Sequence, residues 1–374
     1  MRIGVLKEIK ADEHRVSLTP AGALELTRSG HTVLVERGAG ESSALADEAY
    51  SSAGAEVVEG PQAVFDRAEL LLKVKEPLRD ECMRMRAGQV MFAYLHLAPN
   101  PDLTRELLES GATYMAYETV ETAHGHLPLL APMSEVAGRL APHAGAHLLE
   151  RMNGGKGKLL GGVTGVAAAS VVVLGAGIAG RNAALVASGM RARVTVIDIS
   201  TQRLAEVESM VPAVETLMSN QLTIEQEVAS ADLVIGAVHV PGARAPLLVS
   251  EDVVATMQPG SVVVDMSIDQ GGCFATSRMT THRDPTYLEH GVVHYCVGNM
   301  AGVVPITSTL ALTNATLPYI MYVADLGLSS AARADPALAR GINVMEGKVT
   351  NSRVAEATGN QYFALDSLLP IEYM

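Results

Sequence analysis

The sequence has no tryptophan, and its only other aromatics are four phenylalanines and ten tyrosines in 374 residues. The core therefore rests on Ala, Val, Leu and Met packing. Basic residues are also few: 28 Lys and Arg against 41 Asp and Glu give a formal charge of -13. Such a surface repels phosphate backbones, so nucleic acid is not an expected partner, although a local basic patch can still hold a small anion. Cysteine is limited to Cys82, Cys273 and Cys296, odd in number and widely spaced. With no CxxC pair and no His-rich ligand spacing, neither disulfides nor a metal are expected. The thiols read as reduced ones of a cytoplasmic protein. The N-terminal stretch MRIGVLKEIKADEHR lacks the apolar core of a secretory signal. One long charge-free run exists, 159–180, and its length alone would allow a membrane span. Its dense glycines and its division into a β-branched run and a glycine turn favour a buried strand entering a helix, so no membrane contact is expected.

The rest has the makings of a folded α/β protein, 48% hydrophobic and 18% charged. Its length exceeds what one core usually organises. Short apolar runs at 2–6, 32–35, 69–75 and 89–94 predict strands. Between the first two, Pro20 starts a helix with Thr19 as N-cap, and Gly30 ends it. A long helix is predicted over 133–152, capped by Ser134, kinked by Pro142 and bridging two domains. The glycine-rich loop 153–158 follows. A second alternating unit has strands at 170–174, 194–198, 232–237, 261–265 and 292–297. After Pro305 the pattern is helical again, and the tail from Ala331 has further helical character. The expected fold is α/β: two Rossmann-like, doubly wound parallel-sheet domains joined by long helices, with a cleft between them.

Gly175-Ala176-Gly177-Ile178-Ala179-Gly180 would be weak evidence alone. Here a β-branched strand precedes it, a helix follows, and a second strand ends in Asp198, roughly 20 residues on. Gly175 permits the tight turn, Gly177 admits a pyrophosphate, and Gly180 lets helix and strand pack. The helix N-terminus offers N–H groups to phosphate. Asp198 can accept hydrogen bonds from ribose hydroxyls and would repel a 2′-phosphate, which favours NAD over NADP. Arg203 can stack on adenine or tolerate a phosphate, and both readings stay open.

The N-terminal unit places polar residues at strand ends: Lys73 and Lys75 before Pro77, and Tyr94 and His96 on the next strand. Ligands of open α/β sheets bind beyond the carboxyl ends of strands. Arg15 with Lys75 would clamp a carboxylate, and His96 can move a proton near neutral pH. Taken singly, such a Lys is ordinarily just solvated and such a His a structural hydrogen-bonder. Asp269, on the glycine-rich loop 269–272, is a second acid that can face a nicotinamide, or merely form a turn. The expected division is a substrate and catalytic domain of 1–128 plus 306–374 and an NAD-binding domain of 129–305.

These motifs together resemble the alanine dehydrogenases, relatives of the soluble part of nicotinamide nucleotide transhydrogenase. The resemblance runs through Lys7-Glu8-Ile9, Arg15-Val16-Ser17, Lys73-Val74-Lys75-Glu76-Pro77, Tyr94-Leu95-His96, Pro132-Met133-Ser134-Glu135, the Gly175 turn, Asp269-Gln270-Gly271-Gly272 and Asn299-Met300. It implies reversible oxidative deamination of L-alanine to pyruvate and ammonia, in a homohexamer. Arg15 and Lys75 are implied to bind substrate, His96 and Asp269 to be catalytic, and Tyr94, Met133 and Asn299 to line the pocket. It further implies cofactor contacts at Ser134, the whole Gly175–Gly180 turn, Asp198, Arg203, Asn220, Val238, His239, Ile268, Asp269, Val297, Asn299 and Met300. The chain departs from the family at Gly298 (usually Ala), Ala301 (usually Pro) and Ile306 (usually basic), which loosens the loop and removes a charge. Alternatives are a different 2-amino or 2-oxo acid at the same site, or a transhydrogenase-like nucleotide-binding subunit, which would not need His96.

Overall fold

The computed structural model describes residues 1–240 and 244–369. The chain divides into two compact units. One comprises 1–133 and the segment from 302 onward, and the other comprises 134–240 and 244–301.

The first unit opens with six parallel strands: β1 (Arg2–Val5), β2 (Thr32–Glu36), β3 (Glu56–Val58), β4 (Leu70–Leu72), β5 (Val90–Ala93) and β6 (Thr113–Ala116). They lie in the order β6-β5-β4-β1-β2-β3, doubly wound with its switch point between β1 and β4. Two late strands, Ile342–Met345 and Lys348–Val349, extend the β6 edge in antiparallel sense. The helix Pro20–Arg28 forms as its residues suggest: the Thr19 side chain accepts the Gly22 N–H, and Pro stands at its start.

The second unit contains β7 (Ser170–Leu174), β8 (Arg193–Asp198), β9 (Glu215–Met218), β10 (Leu233–Gly236), β11 (Val262–Asp265), β12 (Thr286–Glu289) and β13 (Val292–Tyr295). Their order is β12-β13-β11-β10-β7-β8-β9, parallel except for β12, with the switch point between β7 and β10. Alternate strand residues feed opposite faces. Val171, Val173, Val194, Val196, Leu233 and Ile235 join one buried cluster; Val172, Leu174, Ile197 and Val234 join the other. A sheet buried on both sides needs this continuous apolar run.

Two expectations change. The predicted strand 69–75 shortens to Leu70–Leu72, because the Val74 N–H is taken by the Glu8 carboxylate at 2.6 Å instead of a neighbouring strand. The bridging helix is Ala131–Leu148, so Ser134 lies inside its first turn and is not the cap. Pro142 lies inside that helix, as expected. The tail has its helical segments, Pro336–Gly341 and Ser352–Thr358 among them, and also supplies the two edge strands. The run 159–180 resolves into loop, strand β7, the glycine turn and the start of a helix, and no helix among the described residues is long and apolar enough to cross a membrane.

Candidate functional site

In the first unit Arg15 follows β1, Lys75 follows β4, and Tyr94 and His96 follow β5. The parallel pairing of β4 with β5 brings Lys75 and His96 together, with Lys75 Nζ 3.4 Å from His96 Nε2. The Tyr94 and His96 rings stack at 5.8 Å. The Tyr94 hydroxyl donates to the Leu129 carbonyl at 2.6 Å. Burial pushes that phenol far above its usual range, so it stays a neutral donor.

Arg15 is buried to 2% exposure. Its Nε and Nη2 donate to the two oxygens of Glu13 at 2.7 and 2.5 Å, and its Nη1 lies 3.0 Å from Met133 Sδ. Burial alone would raise the Glu13 carboxyl, but the Arg15 guanidinium overcomes it and brings the value down to about 2. Below this layer, buried Lys73 is held by Glu81 at 2.8 Å and Glu8 at 3.2 Å. Glu76 pairs with Lys10; burial raises its carboxyl, and Lys75, His96 and Lys10 together bring it below the usual range. Glu8, Glu13, Glu81 and Glu118 were not singled out from the sequence. An acid in a polar loop carries no local mark of its future burial.

The second unit carries the glycine turn at the end of β7. Gly175 has φ +104°, and a Cβ there would lie 2.7 Å from the Ala237 carbonyl oxygen, so both conformation and space demand glycine. A Cβ on Gly180 would overlap the Gly175 carbonyl oxygen, whereas one on Gly177 would meet no protein atom within 4 Å. The helix Ile178–Gly189 starts at Gly177 with no side-chain cap, which leaves its first N–H groups for an anion. Gly138 lets the helix Ala131–Leu148 come against the Ala179 carbonyl. Gly180→Ala is expected to cost about 1–3 kcal/mol by overpacking, read as a lower Tm.

Asp198 ends β8 and reaches back to this turn. Its Oδ2 accepts the Ala176 N–H at 2.6 Å and its Oδ1 the Ser200 N–H at 2.8 Å. Arg203 sits exposed one turn into the next helix, its N–H on Ser200 Oγ at 3.4 Å. Asn220 caps the helix Gln221–Ser230 through the Thr223 N–H, a local task the sequence reading did not foresee. Val238 and His239 follow β10; the Val238 carbonyl accepts the Ser267 hydroxyl at 2.8 Å.

Ile268 and Asp269 lie in the 3-10 turn Ile268–Gln270. The loop is held from beneath by buried Asp265, which accepts the Ser267 and Cys273 N–H groups at 2.9 Å each and the Ser277 hydroxyl at 2.6 Å. Burial raises the Asp265 carboxyl, against the lowering effect of those donors. Asp269 in turn accepts the Asn299 N–H at 3.2 Å. Asn299 has φ +63°, and its carbonyl meets His282 Nε2 at 3.2 Å. Val297 and Met300 are buried on either side. At Gly298 an added Cβ would lie 3.3 Å from Asp269 Oδ1 and 3.2 Å from Met279 Sδ, so glycine gives that carboxylate room. Ala301 is buried in the second unit, and Ile306 is exposed in the first.

Two doubly wound units, one carrying a glycine turn with an acid at the next strand end, define a protein of the nucleotide-binding Rossmann type. The chain belongs to the alanine dehydrogenase/PNT family. The model of the family's N-terminal domain matches residues 4–137 and that of its C-terminal domain residues 141–352. An alanine dehydrogenase of Mycolicibacterium smegmatis is 55% identical over 95% of this chain and 96% of its own. One from Methanococcus maripaludis is 52% identical over 99% of this chain and 100% of its own. A solved L-alanine dehydrogenase superposes with a TM-score of 0.90 at 48% identity, covering 96% of this chain and 99% of that one.

Proposed function

We propose that this chain catalyses the NAD-dependent, reversible oxidative deamination of L-alanine to pyruvate and ammonia. The observation that carries the reading is the Lys75–His96 pair at 3.4 Å, in the same unit as buried Arg15, in a chain more than half identical to relatives named alanine dehydrogenase. It divides the labour between a substrate and catalytic unit formed by the two chain ends and an NAD-binding unit formed by the middle.

The residues of the glycine turn fit a dinucleotide. Open space at Gly177 and an uncapped helix start suit a pyrophosphate. Asp198 retains lone pairs beyond its two backbone donors and would take the ribose hydroxyls, while its charge disfavours a 2′-phosphate. Ser134, Arg203, Asn220, Val238, His239, Ile268, Val297 and Met300 complete the proposed cofactor set. The bound nicotinamide supplies the hydride acceptor for alanine or the donor for the imine of pyruvate.

The remaining chemistry belongs to side chains. Arg15 and Lys75 hold the substrate carboxylate and polarise its carbonyl. Tyr94, Met133 and Asn299 are the further proposed substrate contacts. In deamination, water adds to the iminium to give a carbinolamine, and His96, with Asp269 as the second acid, takes the proton whose loss lets the carbinolamine collapse to ketone and ammonia. Lys75 can donate to His96 only when Nε2 carries a lone pair, which is the form able to accept that proton. The family resemblance also supports a cytoplasmic homohexamer.

The test is NADH consumption with pyruvate plus ammonia, beside larger 2-oxo acids and NADPH. Turnover fastest with pyruvate, ammonia and NADH is expected. Turnover with a larger acid but none with pyruvate would overturn the substrate, and equal rates with NADPH would overturn the role of Asp198.

A further inference from the structure

We propose that Glu118 is a positioning residue: its buried carboxylate accepts the backbone N–H groups of Leu95 and His96 and so fixes the conformation from which His96 presents its imidazole. The proposal rests on the reading of His96 as the acid/base group.

The need for such a clamp follows from the backbone. His96 has φ +48°, in the left-handed region that an L residue other than glycine seldom occupies. Something must hold it there. The sheet cannot, because β5 ends at Ala93 and β6 at Ala116, the two being paired in register. Past Ala116 the chain curls into the 3-10 turn Tyr117–Thr119 and offers no further strand carbonyls to the residues after β5. The N–H groups of buried Leu95 and half-buried His96 would then be donors without a ladder.

Glu118 meets both. Its Oε1 lies 2.7 Å from the His96 nitrogen and 3.1 Å from the Leu95 nitrogen, and its Oε2 lies 3.3 Å from the latter. The residue is 7% exposed. A carboxylate at this depth is tolerated because two amides donate to it, and such charge-assisted bonds are about twice as strong as neutral ones. Two consecutive N–H groups converging on one carboxylate also define the rotation of the peptide plane between them. That plane sets the direction of the His96 Cα–Cβ bond, and hence the approach of its ring to Lys75 and to the face of Tyr94.

The experiment compares Glu118→Ala, Glu118→Gln and His96→Ala in the full chain, reading kcat and KM for pyruvate, NADH affinity by fluorescence titration, and Tm. The glutamine amide oxygen keeps the acceptor and loses the charge. Glu118→Ala is expected to lower kcat about 100-fold, the scale of a small misplacement of a catalytic group, with NADH affinity unchanged. Glu118→Gln is expected to stay within fivefold of the parent kcat. Wild-type kcat in Glu118→Ala, or a 100-fold loss in Glu118→Gln, would overturn the proposal. If Glu118→Ala does not fold, the glutamine variant decides by the same two limits. Full activity in His96→Ala would instead remove the reading on which the proposal stands.

Discussion

His96→Ala is expected to lower kcat for pyruvate, ammonia and NADH by about 10²- to 10⁴-fold, the range set by losing one positioned acid/base group. NADH affinity should be nearly unchanged, since the proposed cofactor residues lie on the second unit and His96 on the first. Fold stability should also hold. The partners that His96 gives up are a ring stacked at 5.8 Å and a 3.4 Å contact with Lys75, while its backbone N–H to Glu118 survives in alanine. Stopped-flow measurement of the chemical step beside fluorescence titration of NADH separates the two quantities. A variant that loses NADH binding along with turnover would show His96 to be structural. One that keeps turnover would show that another group moves the proton.

What could be read in advance was local. The Gly175 turn declared itself because strand, glycines, helix and Asp198 lie within 29 consecutive residues, and Gly175 and Gly180 each answer a nearby steric demand. Lys75 and His96 were legible because neighbouring parallel strands bring their following residues together. The carboxylates that hold this machinery were not. Glu13 is two residues from Arg15 but looks like any acid in a charged loop. Glu118 acts on backbone N–H groups that a longer sheet would have satisfied, Asp265 on those of the loop that follows it, and nothing in the sequence says where a ladder stops. The same limit explains the shortened β4: Val74 belongs to an apolar run, yet its N–H goes to Glu8 from a distant loop. The edge strands Ile342–Met345 and Lys348–Val349 are too short to show a period, and the first pairs with β6 over more than 200 residues of chain.

Glu13→Gln should have the largest effect on stability. The parent pair is buried, with Glu13 at 4% and Arg15 at 2% exposure, and is joined by two side-chain hydrogen bonds. A neutral amide takes away the charge that does most to hold the buried guanidinium, and breaking a buried pair typically costs about 3–5 kcal/mol. The pH dependence supplies a separate check. Burial tends to raise the Glu13 carboxyl, and Arg15 brings it down to about 2 from an ordinary 4.5. Between those values the unfolded chain binds the proton and the folded chain does not. The stabilisation is therefore complete above about pH 4.5 and is lost as the pH falls toward 2, by about 3 kcal/mol at 1.4 kcal/mol per unit. Glu13→Gln has no proton to take up there. Urea unfolding of both proteins at pH 7 and pH 3 should show a wide gap at neutral pH that narrows in acid. A gap of constant width would mean that Glu13 steadies Arg15 by shape alone. Because Arg15 is also proposed to hold the substrate carboxylate, the variant should raise KM for pyruvate more than it lowers kcat, tying the cost in stability to the placement of that guanidinium.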